Sequence, residues 1–341
     1  MSPAARASTT REGPAARPAP AFLAVVGPTA SGKTTLSLAV ARALDGEIVC
    51  MDSRQVYRGM DIGTAKATPE ERAAVPHYGL DLVEPSQRYS AGQFARDARV
   101  WISGIRSRGR VPLLVGGTGF FLRAVVDPIF AEPAMNRSRV EALRRWLTRQ
   151  PRERLERWAR RLDPSRAALA AEGGPQRLSR TLEVALLTGH SLSDWHRVAP
   201  PDGEGLDGVV VRLDLPRDEM DRRIAARSRL MVEGGLVREV EGLLAKGYGP
   251  ATPGMTGTGY REVVAYLRGD ATLEETVERI TAATRRYARR QLTWLRNQLP
   301  ADAVTVDAAL PVGEQVHAVV EAWRDGGGLA TSRTTGNEEV G

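Results

Sequence analysis

Gly27-Pro28-Thr29-Ala30-Ser31-Gly32-Lys33-Thr34 sits directly behind the apolar run Phe22-Leu23-Ala24-Val25-Val26 and ahead of Thr35-Leu36-Ser37-Leu38-Ala39-Val40-Ala41-Arg42-Ala43-Leu44. The octet fits G-x-x-x-x-G-K-[ST], in which backbone N–H groups cradle a diphosphate, the lysine neutralises it and the next hydroxyl takes a magnesium ligand position. A β-branched strand before it and apolar residues at helical spacing after it place a helix N-terminus at the phosphates, as such an anion site requires. Gly27, Pro28, Thr29, Ala30, Ser31, Gly32, Lys33 and Thr34 are therefore candidate diphosphate-binding residues, and Thr34 is the candidate ligand of Mg2+.

Outward from this loop, strand and helix signals alternate: strand 22–27, helix 33–44, strand 47–51, helix 90–108, strand 111–116. That alternation predicts a parallel sheet covered by helices. Ser90-x-x-Gln93 opens the helix at 90 as a capping box and Gly109 closes it. Beyond Phe130 the strand signals cease. A run from Ser138-x-x-Glu141 through Arg161, and a helix from about 176 to 188 closed by Gly189, have no strand between them. Pro200-Pro201-Asp202-Gly203-Glu204-Gly205 marks the exit from this insertion, and strand 209–213 resumes the sheet. Helices at 217–246, 260–267, 272–297 and 313–324 follow, with a short strand at 303–306 between the last two. The expected fold class is α/β: a P-loop NTPase-like parallel sheet flanked by helices, with an all-helical insertion domain. The expected division is a disordered extension at 1–20, a catalytic core from 21–130 and 201–325, the insertion at 131–200, and a disordered tail at 326–341.

Composition removes several function classes. A chain of 341 residues has room for a full core, and no run of about 18 apolar residues is present to span a membrane. The first twenty residues scatter Arg6, Arg11 and Arg17 among Ala and Pro without an apolar h-region, so a cytoplasmic location is expected. Cys50 is the single cysteine, which excludes an internal disulfide and a multi-cysteine zinc site. His77, His190, His196 and His317 form no HExxH cluster. The net charge of +7 is concentrated: residues 129–200 hold fourteen arginines and no lysine against eight acids. Arg279, Arg285, Arg286, Arg289, Arg290 and Arg296 form a second block with no acid between its ends. Solvated helix faces and a nucleic-acid footprint both account for such blocks.

Three further positions bear on chemistry. Asp52 stands at the end of strand 47–51, where ligands of open α/β sheets bind, in a crevice expected to be shared with a P-loop on the neighbouring strand. It suits a general base, a magnesium ligand or a turn cap equally, and the run Asp52-Ser53-Arg54-Gln55-Val56-Tyr57 is rich in groups that can hydrogen-bond a base. Strand 111–115 ends in Gly116-Gly117-Thr118-Gly119 where an ATPase would carry an acid, which argues against a motor or ATPase. Arg223 and Arg227 lie one helical turn apart and can face a phosphate crevice.

The P-loop, Asp52 to Tyr57 with its continuation to Lys66, Gly116-Gly117-Thr118, Gln176 to Arg180, Gly259-Tyr260-Arg261 and Arg289 to Arg296 together resemble the bacterial tRNA dimethylallyltransferase family, from about Phe22 to Trp323. The resemblance implies transfer of a dimethylallyl group from dimethylallyl diphosphate to the exocyclic amine of the adenine 3′-adjacent to the anticodon, position 37, in tRNAs reading codons that start with U. No ATP is consumed, although the loop reads as an ATP motif. By the same resemblance Asp52 is the general base, Thr118 helps hold the flipped adenine, Arg227 binds diphosphate and Thr34 faces Mg2+. Asp52, Ser53, Arg54, Gln55, Thr118, Arg137, Gln176, Arg177, Leu178, Ser179, Arg180, Gly259, Tyr260 and Arg261 match tRNA-contacting positions, the insertion gripping the anticodon stem-loop of a tRNA bound by a monomer. The chain departs from the family pattern at Thr256-Gly257-Thr258, where an apolar pair is commoner. A P-loop kinase acting on a small metabolite is the rival reading, and it leaves the Asp52–Tyr57 run and the basic insertion without a role.

Overall fold

The computed structural model describes residues 19–131 and 133–329. The expected extension at 1–20 and tail at 326–341 therefore lie outside the described residues apart from 19–20 and 326–329. The chain divides into two compact units, one ending at Val126 and resuming at Leu206, the other running from Asp127 to Gly205.

The first unit is built on six strands: β1 (Phe22–Val26), β2 (Gly46–Met51), β3 (His77–Tyr78), β4 (Val111–Gly116), β5 (Gly208–Asp214) and β6 (Val304–Asp307). Their order is β3-β2-β4-β1-β5-β6, every pair parallel. Such a sheet buries both faces, so its inner strands are continuous apolar runs; β1, β2 and β4 are buried at every residue. One expectation changes here. The strands carrying the P-loop and Asp52 are not neighbours, because β4 pairs with both and stands between them. A connection through the helix that starts on the P-loop carries the chain over one strand, leaving a gap that β4 fills.

The helices of this unit are α1 (Lys33–Leu44), α2 (Pro69–Ala74), α3 (Ala91–Ser107) and α4 (Gly119–Val126) before the second unit. After it come α10 (Arg217–Met231), α11 (Val237–Ala245), α12 (Tyr260–Leu267), α13 (Leu273–Gln298) and α14 (Val312–Asp325). Leu36, Val40 and Leu44 of α1 meet Val319 and Trp323 of α14 in the core over one sheet face. The single helix expected over 217–246 is instead two: a π-helical turn, Val232–Leu236, joins α10 to α11, and Gly235 within it has φ 104°. That backbone angle lies outside the helical region and breaks the hydrogen-bond ladder. Periodicity also passed over α2, whose N-cap Thr68 forms a capping box with Glu71, and β3, which is two residues long.

The second unit holds α5 (Arg137–Leu147), α6 (Arg152–Leu162), α7 (Ala167–Glu172), α8 (Pro175–Thr188) and α9 (Leu192–Val198) and no strand among its described residues. The run expected to be helical from 138 to 161 splits at Pro151, which lacks the N–H a continuing helix needs. It starts on Asn136, whose Oδ1 accepts from the Arg139 amide at 3.1 Å, rather than on Ser138. Leu147, Leu155, Ala159, Leu178 and Leu182 form its core. Beneath α8 the buried Glu183 carboxylate takes donors from both Arg144 and Arg180, joining α5 to α8. Burying a carboxylate is tolerable only when it is paired in this way.

Leu113, wholly buried at the centre of β4, reports on the sheet. Leu113→Ala is expected to lower unfolding free energy by about 2–5 kcal/mol through lost burial and a cavity, read as a lower denaturant midpoint at unchanged m-value.

Candidate active site

The loop after β1 turns its amides inward through two left-handed residues, Ala30 at φ 65° and Gly32 at φ 85°, so that α1 begins on Gly32 with no acidic residue in its first turn. Successive amides in such conformations form an anion-binding nest, and the helix terminus adds to it. Gly27 admits no side chain, because a Cβ would lie 2.7 Å from Ser31 Oγ and 3.1 Å from Leu213 Cβ of β5. Lys33 folds back over the loop, donating to Pro28 O at 2.6 Å and Gly27 O at 3.0 Å. Burial first, and then the Arg227 guanidinium, push its ammonium down to about 7 against the opposing pull of Asp52. Burial likewise lowers Arg227. Two cations held this way in a partly closed cavity are short of an anion.

That cavity, about 360 Å3, is lined by Gly32, Lys33, Thr34, Asp52, Arg223, Arg227 and Gln291 among others. A second, about 310 Å3, is lined by Arg54, Thr256, Thr258, Gly259, Arg261 and Arg290 and by the apolar Ile224, Met231 and Ile280. Thr29, Asp52, Thr64, Arg227 and Tyr287 line both, so the two spaces meet at a carboxylate and a guanidinium. Asp52 Oδ1 accepts from the Arg54 amide at 2.8 Å, and its other oxygen has no protein donor among the described residues. Arg227 has no protein hydrogen-bond partner there either, whereas Arg223 donates to Glu219 at 2.6 Å.

Thr118 sits beyond β4, between the P-loop and Asp52. Its hydroxyl accepts from the Ser53 amide at 3.2 Å, and burial pushes the nearby Tyr287 phenol up to about 12. Arg54 reaches across to Pro253 O at 3.0 Å, and Gln55 donates to Thr64 O and Ala65 O at 3.1 and 3.2 Å, so both brace the wall of the site. Gly259, at φ 95°, turns the chain so that exposed Arg261 lines the second cavity.

At two of the expected positions the side chain is buried. Tyr260 is 1 % exposed and donates its hydroxyl to Glu239 at 2.6 Å, so it anchors the cavity wall and offers no surface to a ligand. Leu178, 1 % exposed, belongs to the core of the helical unit. Gln176, Arg177, Ser179 and Arg180 lie with it on α8, Gln176 and Arg177 exposed and Arg180 engaged with Glu183. The side chain of Arg137, at the start of α5, lies outside the described residues.

Sequence reasoning passed over three residues. Gln291 is buried and accepts from the Thr29 amide at 2.9 Å while donating to Gly117 O at 2.9 Å, tying the P-loop to the turn after β4. Gly117 is required there, since a Cβ would lie 2.2 Å from that amide nitrogen. Tyr287 precedes Gln291 by one turn of α13, and with Ile280 and Thr284 it forms a cavity-lining stripe at helical spacing within the arginine block. That spacing was visible in the sequence, masked by the arginines around it. Glu239 accepts from three successive amides, Asp61, Ile62 and Gly63, at 2.8, 2.7 and 3.1 Å; its partners are backbone groups distant in the chain, so no local signal marks it.

Two measurements test this geometry. Protonated Lys33 is the anion-binding form, so above pH 7 binding must take up a proton and affinity for inorganic diphosphate should fall as pH rises, by up to about tenfold per pH unit. Isothermal titration across pH 6–9 reads this, and Lys33→Arg, which keeps its charge, should flatten that component of the slope. Gln291→Leu, removing both clamp hydrogen bonds, should weaken diphosphate binding by about tenfold, each such bond being worth about 1 kcal/mol.

Comparison with known proteins places the chain. Residues 55–298 match the family model described as IPP transferase. The tRNA dimethylallyltransferase of Anaeromyxobacter sp. strain K is 45% identical over 277 residues, covering 81% of this chain and 90% of that protein. The crystal structure of the full-length tRNA isopentenylpyrophosphate transferase from Bacillus halodurans is 34% identical with a TM-score of 0.64, covering 90% of this chain and 97% of the other. A eukaryotic dimethylallyltransferase acting on tRNA shares the fold at a TM-score of 0.74 and 23% identity, over 92% of this chain and 81% of its own. By its matched domain and its relatives, the chain belongs to the IPP transferase family, that of the tRNA dimethylallyltransferases.

Proposed function

We propose that this protein transfers a dimethylallyl group from dimethylallyl diphosphate to the exocyclic amine of the adenine at position 37, 3′-adjacent to the anticodon, in tRNAs reading codons that start with U. The observation that carries the reading is the meeting of the two cavities at Asp52 and Arg227. An anion cradle thereby opens onto a space walled by arginines, hydroxyls and apolar side chains, with an unshielded carboxylate oxygen at the junction.

In that arrangement the adenine nitrogen attacks the allylic carbon, the bond from that carbon to the diphosphate oxygen breaks, and the amine proton passes to the Asp52 carboxylate. The leaving diphosphate gains negative charge, so the loop amides, Lys33 and Arg227 bind it more strongly in the transition state than before it, which is what accelerates the step. Arg227, free of protein partners among the described residues, loses no hydrogen bond in doing so. Thr118, held by the Ser53 amide, is the proposed seat of the adenine edge, which must leave its stack to reach it.

The residues present suit a Mg2+ ion brought in with the diphosphate. The exposed Thr34 hydroxyl lines the cradle beside Asp52, and no cluster of three His, Cys, Asp or Glu forms an alternative cage among the described residues. Mg2+ bound through substrate oxygens and water needs few protein ligands; when bound it neutralises diphosphate charge. For the RNA we assign Ser53, Arg54, Gln55, Gly259 and Arg261 to the second cavity and its walls, and Gln176, Arg177, Ser179, Arg180 and Arg137 to the arginine-rich helical unit. No observation favours the kinase reading: β4 runs into Gly117 and Thr118 without an acid.

The test mixes protein, Mg2+, labelled dimethylallyl diphosphate and unmodified tRNA without ATP, and the label should appear on that adenine alone. Asp52→Asn should lower kcat by about 10²–10⁴-fold, the usual worth of general base catalysis, with the KM for tRNA unchanged. Full activity in that variant would remove Asp52 as the base, and ATP turnover with no label on tRNA would reject the reaction.

A further inference from the structure

In the helical unit the indoles of Trp146 (α5) and Trp158 (α6) stack, their ring centroids 5.3 Å apart and their planes 14° from parallel. Trp158 packs inward on the core, whereas Trp146 is 42 % exposed. An indole partly exposed and already stacked on one side has surface left for a second planar group.

The surroundings say what chemistry that group has. The helical neighbours three and four positions from either tryptophan are Ala142, Leu143, Arg154, Leu155, Arg161 and Leu162, and Arg149 and Gln150 follow Trp146 in the turn between α5 and α6. No acid occurs among them. Arg154 donates to Gln150 at 2.9 Å, and Gln150 to Trp146 O at 3.2 Å, which fixes the angle between α5 and α6 under the stack. Arg149 and Arg161, both exposed, make no side-chain hydrogen bond or ion pair among the described residues. An apolar protein partner would gain nothing from unpaired guanidinium groups around the ring, whereas an RNA strand supplies both a π-face and phosphates.

We infer that Trp146, backed by Trp158 and flanked by Arg149 and Arg161, is a stacking platform for a nucleotide of the RNA substrate other than the adenine that reacts. This rests on the reading that the acceptor is an RNA. The platform adds affinity by stacking and positions the strand by phosphate contacts, without reading sequence.

The experiment compares wild type with Trp146→Ala, Trp146→Phe and the pair Arg149→Ala with Arg161→Ala, measuring kcat, both KM values and the Kd for tRNA by anisotropy at several salt concentrations. Trp146→Ala should raise the KM and Kd for tRNA about tenfold, the loss of one base–aromatic stack, with the KM for dimethylallyl diphosphate and kcat unchanged. Trp146→Phe should recover most of that loss. The arginine pair should reduce the salt dependence of binding by about two counterions' worth. Unchanged tRNA affinity in Trp146→Ala, or equal losses in the alanine and phenylalanine variants, would overturn the inference. If wild type transferred no prenyl group the functional reading would fail separately, since the Kd comparison decides the platform without it.

Discussion

One buried side-chain amide holds the site in register. Gln291 reaches from α13, a helix about 39 Å long at 1.5 Å per residue, and binds the P-loop through Thr29 and the turn after β4 through Gly117. A primary amide donates and accepts at once, so it can bridge an N–H on one loop and a C=O on another, which no charged side chain can do. Because the two strands beneath are adjacent in the sheet, this bridge sets the separation between the P-loop and Thr118. Everything proposed for the chemistry, from leaving-group charge to proton acceptor, depends on that separation.

The opposite wall is held by charge. Lys66, whose side chain is wholly buried, donates to Tyr57 O at 2.8 Å and Asp81 at 2.7 Å and to Asp61 at 2.5 Å, so all three ammonium donors are satisfied. Glu239 performs the complementary task with three backbone amides and the Tyr260 hydroxyl. Networks of this kind are stabilising only when complete, and a complete one specifies a single arrangement. The segment from Asp52 to Lys66 has almost no regular structure, yet these contacts make it a fixed surface rather than a loose loop. Such rigidity suits a site whose proposed acceptor is large and must be met by a pre-formed pocket.

In the helical unit the arginines divide into two populations. Arg144 and Arg180 neutralise the buried Glu183 and so build the unit, while Arg149 and Arg161 make no side-chain ion pair among the described residues. Net charge alone does not separate these roles; only the pairing does. The same distinction separates Arg223, held by Glu219, from Arg227, which faces the cavity with no partner among the described residues.

Much of this was legible in the chain. The P-loop, the strand–helix alternation and the loss of strand signal after Phe130 are carried by local spacing, which reflects backbone periods of 3.6 and 2 residues and survives without tertiary context. Asp52, Thr118 and Arg227 stood out because each lies at or near the end of a strand or on a helix face, places that local pattern locates, and the structure brings Asp52 and Arg227 to the lining of both cavities. What local pattern could not supply was partnership. That β4 separates the two functional strands, that Tyr260 and Leu178 point into cores, that Gln291 clamps two loops and that Glu239 gathers three amides all depend on groups between 21 and 262 residues apart in the chain. Long-range hydrogen bonds and burial have no short-range signature, so the sequence by itself determined which chemistry was available, and the tertiary structure decided which groups meet at the cavities and which hold them in place.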